Sequence, residues 1–133
     1  PPISEARSRL PAPANGPVTG RFGESLAGGS LVRQGVEFSV EIGTPVLAVH
    51  PGQVVYADFL QGRGMLVIVD HGQDYLSLYG NNEAVAVSPG DWVDRADILA
   101  TSGRSPRNGQ PSVYFEIRRS GQAQNPLQWL QTP

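Results

Sequence analysis

Few residues in this chain can carry acid–base or metal chemistry. Its 133 residues include two histidines, His50 and His71, and no cysteine. Protein zinc sites draw on imidazoles and thiolates, with carboxylates as supplements. The chain therefore offers at most two imidazoles and no thiolate. A Cys–His nucleophile pair is excluded, and a Ser–His–Asp triad would have to use one of the two histidines. The local grouping that invites a triad is Asp70-His71 with Ser77. Adjacent residues on a strand point to opposite faces, so Asp70 is badly placed to orient His71. His71 precedes Gly72, and His50 precedes Pro51-Gly52. Both are turn signals, and the expectation for each histidine is turn or surface structure.

Charge narrows the function classes further. Twelve acidic and ten basic residues leave a net charge of -2. A nucleic-acid partner usually leaves a basic footprint, so none is expected. No apolar run approaches the length of a membrane span. The lack of cysteine fits either the cytoplasm or an envelope compartment. Hydrophobic residues at 39% and charged residues at 17% read as globular, and a chain of this length can bury a core without disulfides or metal. The sequence opens on Pro1 rather than Met, which reads as a processed or excised piece of a longer protein.

The elements that must hold these residues are short strands. Sixteen glycines and twelve prolines mark frequent tight turns. Residues 1–15 (PPISEARSRLPAPAN) hold four prolines and read as an extended linker or tail. The folded domain is expected over 16–133. Strand signals run over Val46–Val49, Val54–Tyr56, Met65–Val69, Tyr75–Tyr79 and Ile98–Thr101, broken at Pro51-Gly52, Gly62-Arg63-Gly64 and Pro89-Gly90. The stretch SVYFEIRR alternates. Val113, Phe115 and Ile117 share one face, and Ser112, Tyr114, Glu116 and Arg118 the other, which would stay open to solvent or a partner. The tail NPLQWL fits one helical turn. The fold class is all-β, a sandwich or partly open barrel.

Several spaced motifs occur in a recognisable order. They are Gly43-Thr44-Pro45-Val46, Gly62-Arg63-Gly64, Tyr79-Gly80, Pro89-Gly90-Asp91-Trp92-Val93 and Phe115-Glu116-Ile117-Arg118. Over about residues 17–130 this pattern resembles the LytM domain of lysostaphin-like zinc metallopeptidases, which cut peptide crosslinks in bacterial cell walls. The resemblance implies an antiparallel β-sandwich with an open groove. Active members carry His-x-Gly-x-Asp where this chain reads Arg33-Gln34-Gly35-Val36-Glu37, and His-Leu-His where it reads Ser112-Val113-Tyr114. A further histidine position, after the Tyr79-Gly80 turn, is Asn81. Arg33 cannot lose its charge and cannot ligate zinc. One carboxylate, Glu37, is left of three ligand positions. No metal, cofactor or catalytic residue is expected.

Within that group the chain resembles the degenerate LytM domains of the EnvC family. The strings Ala57-Asp58-Phe59-Leu60-Gln61-Gly62, Ser77-Leu78-Tyr79-Gly80 and Ser112 to Arg119 carry that likeness. It implies a non-enzymatic activator in the Gram-negative periplasm, at the division septum. Such domains bind zinc N-acetylmuramoyl-L-alanine amidases of the wall and relieve their autoinhibition by capturing a helix. They connect to an ABC-transporter-like division complex through an upstream coiled coil that this sequence lacks. Peptidoglycan itself is a further partner to weigh, and the alternatives are a wall-binding domain or a residual metallopeptidase. By the resemblance the partner groove takes Tyr79, Tyr114 and Arg118, rimmed by Arg33, Gln34, Glu37, Arg63, Leu66, Asn81 and Ser112. Arg118 would pair with a carboxylate on the incoming helix, or with Glu116 or Glu37 of its own chain.

Overall fold

The structure, a computed structural model, describes residues 1–131. It is almost entirely β, as expected. Ten strands follow one another: β1 (Val18–Gly20), β2 (Val36–Phe38), β3 (Pro45–Leu47), β4 (Gly52–Leu60), β5 (Gly64–Gly72), β6 (Tyr75–Val85), β7 (Trp92–Val93), β8 (Ile98–Arg104), β9 (Pro111–Arg119) and β10 (Gln122–Gln124). Every pairing between them is antiparallel, in the order β1-β2-β9-β8-β6-β5-β4-β7, with β3 against β8 and β10 against β9. Strand β6 is shared. Its first half pairs with β9 and its second half with β8, so the sheet divides there.

Sequence alternation explains which face is core. Val67, Tyr79 and Phe115 stand in one cross-strand row, and Val69, Ser77 and Ile117 in the next. The apolar members of these rows, with Val36, Val46, Leu99 and Val113, belong to the main hydrophobic cluster, and Ser77 is a buried polar residue among them. Gly35 is needed for strand approach, because a Cβ there would lie 2.3 Å from the Phe115 carbonyl oxygen. The NPLQWL tail forms a short 3₁₀ turn over Pro126–Gln128, with the Asn125 side chain accepting from the Leu127 N–H.

Residues 1–15 differ from the expected linker. They form a strap docked on the domain. Ile3 and Leu10 are each 1% exposed and belong to the core cluster. Ile3–Ala6 makes a 3₁₀ turn. Leu10 pairs in parallel with Leu130, its N–H donating to the Trp129 carbonyl and its carbonyl accepting from the Gln131 N–H. Four prolines hide this in the sequence, because they suppress strand and helix signals around two well-placed apolar residues. The last two residues of the expected domain, 132 and 133, lie outside the described residues.

Candidate functional site

The opposite face of β9 carries the polar side chains. Glu37 is paired with Tyr114, Gly80 with Tyr114, Leu78 with Glu116 and Leu76 with Arg118. The alternation in SVYFEIRR is therefore present, but the face is not open. Ser112, Tyr114 and Glu116 are all buried. Arginines cover them, because a carboxylate held at 1% exposure needs partners for its charge.

Two linked ion clusters result. In the first, Glu116 receives Arg118 Nε at 2.5 Å and the Tyr114 hydroxyl, with Arg63 Nη2 at 3.6 Å. Arg63 also donates to the Tyr114 hydroxyl at 3.2 Å, and its guanidinium carbon lies 4.2 Å from the centre of the Tyr114 ring. Burial, then the neighbouring Glu116 carboxylate, pushes the Tyr114 phenol well above its usual range. The ring is thus a neutral hydrogen-bond donor. In the second cluster, Glu37 Oε2 takes Arg33 Nε and Arg107 Nη2, each at 2.9 Å, and Arg33 Nη1 reaches Glu24 at 2.7 Å. Asn81, at φ 66°, donates from Nδ2 to Ser112 Oγ at 3.0 Å. Between the clusters a cavity of about 70 Å³ is walled by Leu26, Arg33, Glu37, Arg63, Asn81 and Tyr114. Arg33, Glu37 and Arg107 also wall a larger hollow of about 500 Å³ that runs on to Thr19, Asn108 and Ser112.

Seven of the ten expected groove residues gather here: Arg33, Glu37, Arg63, Asn81, Ser112, Tyr114 and Arg118. The other three do not. Tyr79 is 0% exposed and lies on the core face, 5.3 Å from Phe115. One residue of strand period separates it from Gly80, which faces Tyr114, so it points the other way. Leu66 shares the groove side of the sheet by alternation but is buried at 1%. Gln34 sits off the clusters, its Nε2 3.4 Å from the Val32 carbonyl. Three contributors were absent from the expected groove set. Glu116 was legible from alternation with Tyr114 and Arg118. Arg107 and Glu24 lie in polar and glycine-rich loops, where no periodicity singles them out.

The two histidines form a separate polar cluster beneath the core face. His50 is buried, with Nε2 3.0 Å from the Pro1 carbonyl, and its ring stands edge-on to His71 at 5.8 Å. His71 Nδ1 lies 2.8 Å from the Pro51 carbonyl and Nε2 2.6 Å from Ser77 Oγ. A carbonyl only accepts, so Nδ1 carries the proton and Nε2 accepts from the Ser77 hydroxyl. Ser77 lies 2.8 Å from the Tyr79 hydroxyl, which accepts from the Val49 N–H at 3.1 Å. The Ser77 proton is committed to His71, so the Tyr79 O–H donates to Ser77. Burial drives His71 from 6.5 down to about 4, against the Pro51 hydrogen bond, with His50 adding to the fall. Burial likewise raises Tyr79 to about 12. Asp70 turns away and accepts from the Gly72 N–H at 2.8 Å. The chain is structural: Ser77 is fully buried and His50 is set deeper than a turn or surface role implies, while half-buried His71 sits where β5 runs into the hairpin to β6, as its turn signal implies.

Comparison with known proteins decides the family. The profile described as Peptidase family M23 matches residues 31–126. The chain belongs to that family. It is 46% identical over 118 residues to the murein hydrolase activator EnvC of Escherichia coli K12, covering 89% of this chain and 28% of that protein. It is 35% identical over 119 residues to the murein hydrolase activator NlpD of the same organism, covering 89% of this chain and 30% of that protein. The chain thus spans less than a third of the relatives' length. In fold it superposes on the antimicrobial peptidase lysostaphin from Staphylococcus simulans with a TM-score of 0.80 at 23% identity, over 92% of this chain and 54% of that one.

Zinc, which resemblance to lysostaphin-like peptidases implies, does not fit the side chains present. Glu37 is already bound by two guanidinium groups, and the Tyr114 hydroxyl is turned to Glu116. Among the described residues no group of three or more His, Cys, Asp or Glu comes together to hold a metal. Both histidines belong to the other cluster, and His71 has both ring nitrogens engaged.

Proposed function

We propose that this M23 domain is a non-catalytic activator of periplasmic peptidoglycan amidases, and that it acts through the groove built on Tyr114, Glu116 and Arg118. The carrying observation is the chemistry at the expected ligand positions, where Arg33, Glu37 and Tyr114 are engaged in ion pairs and hydrogen bonds. Kinship with proteins named murein hydrolase activators supports the same reading. The groove offers what a docking surface uses: an aromatic ring, arginines of fractional exposure and neutral hydrogen-bonding groups. The proposed partner is a zinc N-acetylmuramoyl-L-alanine amidase of a Gram-negative envelope. The domain would capture the helix that blocks the amidase zinc, at the division septum, under control of a transporter-like complex.

Binding of the domain to such an amidase, followed by calorimetry, tests this proposal. Arg118→Gln is the variant of choice. Arg118 also neutralises buried Glu116, so a reversed charge would add a folding penalty, while glutamine keeps a hydrogen-bond donor. Loss of a central arginine anchor weakens affinity by about 2 kcal/mol, more than tenfold. Unchanged affinity would remove Arg118 from the interface.

A further inference from the structure

Tyr114 is the groove's one aromatic contact, yet it is 4% exposed. What hides it is Arg63. The guanidinium lies over the ring at 4.2 Å and donates to its hydroxyl. We propose that Arg63 is a displaceable cap on Tyr114, an autoinhibitory contact that a docking partner must swing aside before it can use the ring. The proposal rests on the groove reading above and gives Arg63 a role opposed to the partner contact assigned to it from sequence.

Three observations separate a cap from a fixed wall. First, the backbone that bears Arg63 is pinned while its side chain is not. The Arg63 N–H donates to Leu60 and its carbonyl accepts from the Asn81 N–H at 2.7 Å, so the β4–β5 turn stays on β6. The side chain is 36% exposed and projects from a turn flanked by Gly62 and Gly64. Second, its departure strands no buried polar atom. Tyr114 still donates to Glu116, and Glu116 still holds Arg118. Only the ring contact, the hydrogen bonds to Tyr114 and to the exposed Gly62 carbonyl, and an ion pair at 3.6 Å are given up, and the guanidinium moves into water. Arg118 has no such freedom, being the closest counter-charge to a carboxylate at 1% exposure. Third, with the cap in place the space beside Tyr114 is about 70 Å³, room for a couple of water molecules rather than a side chain of a docking helix. Docking therefore requires something there to move, and Arg63 is the wall residue that both lies over the Tyr114 ring and can leave without orphaning its neighbours.

The test needs no partner in its first arm. Photo-CIDNP NMR reports solvent-accessible tyrosine rings, with Tyr114→Phe assigning the signal. The wild-type domain should show no Tyr114 enhancement, and Arg63→Ala should show one. In the second arm a Gram-negative zinc amidase carrying its blocking helix is titrated with each form. Arg63→Ala should bind at least threefold tighter. A Tyr114 that stays dark in Arg63→Ala, or binding by that variant that is unchanged or weaker, overturns the cap. The binding criterion applies where the wild-type domain binds; if neither form binds the amidase, the amidase reading fails and the Tyr114 signal alone decides the cap.

Discussion

The two faces of the β5–β6–β9 sheet solve the problem of buried polar groups in opposite ways. On the core face, His71, Ser77 and Tyr79 form a neutral chain in which each proton has one direction and one acceptor. On the groove face, Glu37 and Glu116 are held in ion pairs by four arginines. The difference follows from access to water. Burial on the core face forbids charge, which is why His71 is driven down to about 4. Arginines at the groove reach solvent with part of their length, so they can balance buried carboxylates and still exchange partners. The neutral face is closed by hydrogen bonds, and the charged face by ion pairs whose arginines are partly exposed.

The largest expected effect comes from breaking the charged side. Glu116→Ala removes the shared acceptor of Arg118, Arg63 and Tyr114. Loss of one partner of a buried ion cluster costs about 3–5 kcal/mol, to be read as a fall in the urea midpoint. A loss under about 1 kcal/mol would mean that the cluster is solvated and the contrast between the faces is weak.

The neutral side is probed by pH. The folded pKa of His71 lies below its unfolded value, so the folded state binds fewer protons between the two. The stability held by neutral His71 is complete above about pH 6.5 and is lost as pH falls toward about 4. The full shift amounts to about 3 kcal/mol at most. Denaturant unfolding at several pH values should show this slope, and His71→Gln should flatten it relative to wild type. Equal slopes in both proteins would show that the chain does not hold His71 neutral.

The smallest effect sharpens the role of exposure. Glu24 pairs with Arg33 at 2.7 Å, yet its side chain is 51% exposed. Glu24→Gln should cost about 0.2–1 kcal/mol, falling with added salt. A cost as large as that of Glu116→Ala would place Glu24 among the groove's structural charges.

The strands were legible because glycine and proline punctuate short β-rich runs, and the alternation of SVYFEIRR told its two faces apart. The seven gathered groove residues were legible through a motif pattern rather than through chemistry. Tyr79 was misplaced because the motif treats Tyr79-Gly80 as a unit, whereas alternation sends the two residues to opposite faces. The open polar face was misread because long-range ion pairs cover it. Arg63 and Arg107 lie 51 and 70 residues from the groups they reach, Tyr114 and Glu37, a separation no local pattern encodes. The strap was missed because Leu10 is held by pairing with Leu130 at the other end of the chain, a contact no local pattern encodes.

The proposed role of the groove is to activate another enzyme without doing chemistry itself. Release of dye from labelled cell-wall sacculi tests it most directly, with the domain alone, a helix-blocked zinc amidase alone, and both together. Strong release is expected only when both are present. Release by the domain alone, or release by the amidase that the domain leaves unchanged, would contradict it.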